Sequence, residues 1–388
     1  MYFIIISTAD WDNPFWTNKQ HVAKTLADMG HHVLYIDSLG MRTPTASASD
    51  LSRIYKRLIK LFSGTQKIND NIWIMSPFSI PLQKYSIVRW LNKFILVKMI
   101  NHTAQKLNFT NIILWTYNPL TSYLIDNIKN GKSIYHCVDE ISAQPSMPKQ
   151  TIQEAEINLL KKVDITFVTT LSLLKEKQQY SKNCFYYPNV ADFNHFNTAY
   201  TSKFEIPPDL PTDKKNIGFI GAISGYKQNF VLIASLAEQR PQYNIILIGK
   251  IGEGDPHTNA SILEQYPNIF LLGAKNYLEL PQYLSFFDVC MLPCCINTYT
   301  KYMFPMKFFE YLAAAKPVVS TAIPAINDFK DYCYIAKTNA QFISFVDKAI
   351  GEDSILLQKK RLLLAKQYTY SIRTQKMLRT IATLERTK

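Results

Sequence analysis

The chain has no run of about 18 uncharged apolar residues, which excludes a membrane-spanning helix from the expectations for its 388 residues. Its apolar start, Met1 to Ile6, lacks the basic residues that open a signal peptide and reads as a first core strand. Cysteine is scarce and unpatterned. Cys137, Cys184, Cys290, Cys294, Cys295 and Cys333 form no C-x-x-C pair and no ligand spacing with histidine, so a reducing cytoplasm and no structural zinc are expected. No basic-aromatic motif of a nucleic-acid reader is present, so the net charge of +13 does not point to nucleic acid. The first strand is followed by Thr8-Ala-Asp-Trp-Asp-Asn13, without a glycine to admit a pyrophosphate. That absence weighs against a nicotinamide oxidoreductase, although Asp37 ends the second strand as a ribose-binding acid would.

What is present is enough apolar content, 47%, to bury two cores. Strand-like runs at 2–7, 32–37, 72–75, 111–116, 133–138 and 165–168 alternate with helix-length segments, and Gly30 sits where a left-handed cap should close the helix 18–29. A second series runs through 216–221, 244–249, 269–272, 288–292, 317–320 and 333–336. The pattern predicts an α/β chain with two doubly wound, Rossmann-like domains facing a central cleft. The first occupies 1–195, a polar linker with Pro207-Pro208 occupies 196–213, and the second occupies 214–365.

The positive charge is concentrated. Between Leu51 and Lys106 there are ten Lys and Arg residues against Asp70 alone. Segments 51–62 and 84–98 are both basic and apolar, the second with Trp90 and Phe94. Such segments suit an anionic membrane surface, or a solvated basic face over the core.

The most informative stretch is Val289 to Thr321. A buried strand, a loop to Phe304, a helix from Pro305 to Ala315 and a further strand follow one another. A lysine in a first helical turn opposes the dipole unless an anion is bound there, so Lys307 would hold a pyrophosphate. Glu310 shares its face and would hold ribose hydroxyls, although the two would also suit an ordinary surface ion pair. Ligands of such sheets bind beyond the carboxyl ends of the strands, which adds Gly221, Lys250, Tyr299, Thr300, Pro305 and Met306 to the donor side.

Pro305, Lys307, Glu310, Tyr311, Leu312, Ala313, Lys316, Pro317, Val318 and Val319 resemble the donor motif P-x-K-x-x-E-Y-L-A-x-G-K-P-V-V, with Ala315 in place of the glycine. Trp11-Asp12, Tyr135-His-Cys-Val-Asp-Glu140 and Asn268 to Gly273 with Tyr277 and Leu280-Pro281 extend the likeness over most of the chain. The sequence thus resembles the bacterial family-1-type glycosyltransferases of GT-B fold, those of teichuronic-acid and exopolysaccharide biosynthesis and the xanthan glucuronosyltransferase-like enzymes.

The resemblance implies a nucleotide-sugar donor, most readily UDP-linked, a lipid-linked or oligosaccharide acceptor, and a cytoplasmic site at the inner face of the membrane. It implies a final helix, 366–388, that crosses back to the first domain. It also implies a base in the first domain. Asp139, then Glu140, fits by following a strand, unless either merely caps the next helix. His136 reads as a satisfied core histidine. Trp11 and Asp12 would line the acceptor side. Asp10-Trp-Asp12 has the form of a metal motif but is a poor Mg²⁺ cage, so no metal or other cofactor is expected. Retaining relatives carry a second carboxylate eight residues before Glu310, where this chain has Tyr302, which favours inversion. A sugar-nucleotide epimerase of the same fold and a noncatalytic membrane scaffold are the alternatives.

Overall fold

The computed structural model describes residues 1–13, 16–39, 64–77, 80, 85–145, 147–253, 255 and 257–385. The basic segment 51–62 therefore lies outside the described residues, as do Pro14 and Lys84. The strands are β1 (Tyr2–Ile6), β2 (His32–Ile36), β3 (Thr65–Asn69), β4 (Ile72–Met75), β5 (Ile112–Thr116), β6 (Asn130–Cys137), β7 (Ile165–Val168), β8 (Cys184–Tyr186), β9 (Lys215–Ile220), β10 (Tyr243–Ile248), β11 (Ile269–Gly273), β12 (Val289–Leu292), β13 (Val318–Thr321) and β14 (Tyr334–Ala336). The helices are α1 (Asn18–Asp28), α2 (Ser86–Lys106), α3 (Ser122–Asn127), α4 (Lys149–Lys162), α5 (Leu171–Lys177), α6 (Phe193–Thr201), α7 (Phe230–Gln239), α8 (Leu280–Ser285), α9 (Thr298–Lys301), α10 (Lys307–Ala313), α11 (Asn339–Glu352), α12 (Ile355–Ala365) and α13 (Tyr370–Glu385).

The first eight strands make one sheet in the order β3-β4-β2-β1-β5-β6-β7-β8, parallel except where β3 runs against β4. The other six make a fully parallel sheet, β11-β10-β9-β12-β13-β14. Helices cover both faces, so central strands such as Phe3–Ile6 and Val289–Leu292 are apolar without alternation and buried throughout. Strand order reverses beside β1 in one sheet and beside β9 in the other. The residues following β9 and β12 therefore flank the switch point at which such sheets bind ligands.

All twelve expected strands form. β3 and β8 are additions, and both are sheet edges: β3 is mostly exposed and β8 is three residues long. Helix α1 ends as its glycine predicts, with Gly30 at φ 81° and the His31 N–H bonded back to the Leu26 carbonyl at 3.1 Å.

Three expectations need correction. The donor-motif helix starts at Lys307, not Pro305, because the Pro305 carbonyl accepts the Phe308 N–H in a preceding turn. The loop before it contains the one-turn helix α9, capped by Asn297. The linker region contains α6, whose Asp192 side chain caps it and whose Phe196 and Ala199 pack into the second core. Helix α13 is not among these corrections: it contributes Met377 and Ile381 to the first domain's core beside α1.

Candidate active site in the interdomain cleft

Helix α10 is positioned from both ends. The Tyr311 hydroxyl accepts the Ile220 N–H at 2.8 Å, tying the helix to the end of β9 immediately before Gly221. At its C-terminus Ala315 takes φ 60°, and the Lys316 N–H bonds to the Tyr311 carbonyl at 3.0 Å, the closure that a glycine usually provides. The Asn197 amide and the Arg361 guanidinium satisfy the Ala313 and Ala315 carbonyls at 3.0 and 2.9 Å. The chain tolerates alanine in a left-handed conformation because this end is hydrogen-bonded on several sides.

At the other end Lys307 Nζ lies 2.6 Å from Glu310 Oε2 and 5.7 Å from the Phe196 ring centroid. The pair is not a solvated surface bridge, since the glutamate side chain is 4% exposed and the lysine 24%. With only seven residues, α10 has a small dipole, so Lys307 itself is the principal positive charge here. Met306 is the half-buried cap residue and Pro305 is buried before it.

The loop after β9 approaches the same place. A Cβ at Gly249 would fall 1.8 Å from the Gly221 carbonyl oxygen, so the ends of β9 and β10 meet only because Gly249 has no side chain. Beyond Gly221, the Lys227 carbonyl accepts the Cys295 N–H at 2.8 Å and the Asn297 amide holds the Tyr226 carbonyl at 2.8 Å. These bonds seat Lys227 over the Tyr226 and Tyr299 rings at 5.3 and 5.6 Å. Tyr299 is buried, and its phenol is pushed far up by burial and by nearby Asp139. Thr300 is fully buried with its hydroxyl donated to the Cys295 carbonyl, so it shapes the loop and has no exposed surface for a ligand. Lys250 is exposed, and its carbonyl accepts the Ile223 N–H at 3.0 Å.

Across the cleft, Asp139 and Glu140 follow β6 and diverge. Glu140 is buried, with one oxygen accepting the Ser142 hydroxyl and the other 2.6 Å from Lys177 Nζ. The same ammonium lies 2.8 Å from Glu156 and 3.0 Å from Glu176. Glu140 is thus bound into an ion cluster, with no oxygen free to take a substrate proton. Asp139 is partly exposed; its carbonyl accepts the Cys137 thiol at 3.6 Å, and its carboxylate accepts no hydrogen bond among the described residues. Burial raises its pKa above the ordinary 3.8, against the pull of Lys19 and Lys227. Trp11 is half-buried, its N–H bonded to Asp37 at 2.8 Å and its ring against Trp16 and Tyr35. Asp12 is exposed on the same turn. Asp10 accepts the Ser38 N–H at 3.0 Å, a turn-closing role. Among the described residues no group of three or more His, Cys, Asp or Glu is arranged to hold a metal ion.

The arrangement also includes residues that motif reading passed over. Lys19 stands in the first turn of α1, close enough to Asp139 and Lys227 to interact with both, and burial pulls it below the ordinary lysine range. A signal was available, because a first-turn cation calls for an anion just as Lys307 does. Lys227 had no such signal; only the fold brings it to Asp139. His136 is buried as expected but unsatisfied, with neither ring nitrogen hydrogen-bonded among the described residues. His21, pulled down to about 3 by burial and by the charges of Lys307, Arg373, His195 and Lys24, is neutral at ordinary pH.

Residues 214–349 match the family model of the group 1 glycosyl transferases. TuaH of Bacillus subtilis (strain 168), a protein named as a teichuronic acid biosynthesis glycosyltransferase, is 30% identical over 141 residues, and the aligned stretch spans about a third, 35%, of each chain. Among solved structures, sucrose-phosphate synthase of Thermosynechococcus elongatus superposes over 100% of both chains with a TM-score of 0.72 at 13% identity. HepE of Anabaena in complex with UDP superposes over 98% of this chain and 99% of its own with a TM-score of 0.66 at 13% identity. A trehalose-6-phosphate protein of E. coli bound with UDP-2-fluoro glucose superposes over 99% of each chain with a TM-score of 0.68 at 12% identity. Two Rossmann-like sheets with the ligand loops turned toward each other make this a GT-B-fold chain, and within its second domain residues 214–349 match the group 1 glycosyl transferase model.

Proposed function

We propose that the protein transfers a sugar from a UDP-sugar donor to a hydroxyl of a lipid-linked or growing polysaccharide acceptor, with inversion and without a metal ion. The observation that carries this reading is the Lys307–Glu310 pair, held at the head of α10 beside the switch point of the matched domain. Lys307, with Lys227 as a second cation, would neutralise the diphosphate, and Glu310 would accept the ribose hydroxyls. Two lysines at the phosphates do what a divalent ion does elsewhere, which supports the metal-free reading. Fold neighbours solved with UDP and with UDP-2-fluoro glucose support a uridine donor.

Asp139 would take the proton from the attacking hydroxyl, and its raised pKa makes it a stronger base than an ordinary aspartate. Tyr302 occupies the position where retaining relatives carry a carboxylate, which supports inversion. The name of TuaH supports a cell-surface polysaccharide as the product.

The acceptor side would work at the inner face of the membrane, docked through α2. Ile87, Trp90 and Phe94 form an exposed ridge on that helix, 63%, 59% and 47% accessible, with Trp90 and Phe94 stacked at 5.8 Å. Lys98 Nζ sits 4.5 Å from the Phe94 ring centroid, so a cation borders the apolar ridge as an anionic bilayer surface requires. Among the described residues no helix is long and apolar enough to cross a membrane.

Thermal shift against a panel of nucleotides tests the donor. UDP should raise the melting temperature more than purine nucleotides do, and Lys307→Ala should weaken UDP binding by roughly 10–100-fold, the loss of one charged hydrogen-bonding group. Equal response to all nucleotides, with no effect of Lys307→Ala, would overturn the donor reading. Sedimentation with phosphatidylserine vesicles tests the surface: a Trp90→Ser, Phe94→Ser variant should lose binding while keeping its UDP response.

A further inference from the structure

Arg373 on α13 is buried, 3% exposed, and among the described residues no carboxylate comes within ion-pair distance of it. Its guanidinium donates to the Pro188 carbonyl at 3.2 Å and to Asn18 Oδ1 at 2.9 Å, while its Nε has no hydrogen-bond partner among the described residues. Asn18, the first residue of α1, donates its amide to Asn189 Oδ1 at 2.6 Å. Asn189, on the segment that leads from β8 into α6 and on to the second domain, donates in turn to the Phe304 carbonyl at 2.9 Å. Phe304 lies three residues before Lys307. All three side chains are at least nine-tenths buried.

The chain of bonds has a direction. Each amide accepts on its oxygen from the group before it and donates through its nitrogen to the group after it, so a cation at one end polarises every link. It starts on the last helix, passes through the first helix of the first domain and the segment between β8 and α6, and ends on the loop that leads into the donor helix. Burial makes each link costly to leave unmade. An asparagine pair is otherwise a poor choice at a buried position, where apolar side chains of like volume pack at no polar cost.

We propose that Arg373, Asn18 and Asn189 are positioning residues for the donor site: their relay sets the 302–306 backbone, and hence Lys307, so that the last helix and the first domain govern nucleotide affinity in the second. The proposal rests on the donor reading above.

The discriminating variant is Asn18→Asp. A carboxylate at this position accepts from Arg373 more strongly than the amide does, giving the buried cation a partner, but it has no N–H to give Asn189. If Asn189 then turned its nitrogen toward the carboxylate, its own oxygen would face the Phe304 carbonyl. A residue with only a structural role should therefore gain from Asn18→Asp. The relay predicts an unchanged or higher melting temperature, UDP affinity lowered about tenfold, and faster amide hydrogen exchange across 302–306 in the free protein, with Asn189→Ala giving the same exchange signature.

UDP affinity within twofold of the parent, with unchanged exchange at 302–306 in both variants, overturns the inference. If the parent itself does not bind UDP, the donor reading fails, and the exchange measurement alone still decides whether the relay holds the loop.

Discussion

Asp139 is held in a cleft wall where its charged form is disfavoured, and this has consequences for both rate and stability. Burial raises its carboxyl above 3.8 despite Lys19 and Lys227. A carboxyl with a raised folded pKa contributes most to stability below its unfolded value, and the contribution is lost as pH rises through the folded value. Asp139→Asn, a neutral isostere, should therefore melt above the parent at about pH 7, and the advantage should disappear near pH 3. The same variant should lose about 10²–10⁴-fold in transfer rate while binding UDP normally. A variant that melts at or below the parent at neutral pH would show that the two lysines outweigh burial. Ala315 carries a different strain. Its left-handed backbone costs about 1 kcal/mol relative to glycine. Ala315→Gly should recover up to that amount, read as a rise in urea midpoint at constant slope.

Among the elements, α5 depends most on a single side chain. Lys177 at its end serves Glu140, Glu156 and Glu176, and through Glu140 and Glu156 it joins α5 to the end of β6 and to α4. Lys177→Met removes the cation paired with the buried carboxylates Glu140 and Glu156 and should destabilise the protein by about 3–5 kcal/mol, measurable by denaturant unfolding. The sequence hid this cluster, because Lys177, Glu140 and Glu156 are unremarkable in their own segments and only the fold brings them together. Central strands were legible, since burial on both faces leaves an unbroken apolar run. Edge strands β3 and β8 were not, because an exposed or three-residue strand needs no pattern. The head of α10 was legible to within two residues, from a lysine, a glutamate and a proline whose spacing has a physical meaning. Asp139 and Glu140 were indistinguishable by sequence, being adjacent residues after one strand. What separates them is which side chain meets Lys177.

At the scale of the molecule, the site draws on both domains. Asp139 and Lys19 come from one domain, Lys227, Lys307 and Glu310 from the other. Chelation with EDTA should leave the transfer rate unchanged if lysines alone neutralise the diphosphate; a loss restored by Mg²⁺ would assign that role to an ion instead. Helix α13 makes the architecture discontinuous, since its Met377 and Ile381 lie in the first domain's core although the second domain intervenes in the chain. During synthesis on a ribosome, the first domain must wait for a helix made after the second domain before its interior is complete. The second domain, continuous in sequence, can close first, so assembly of this chain runs partly against the direction in which it is translated.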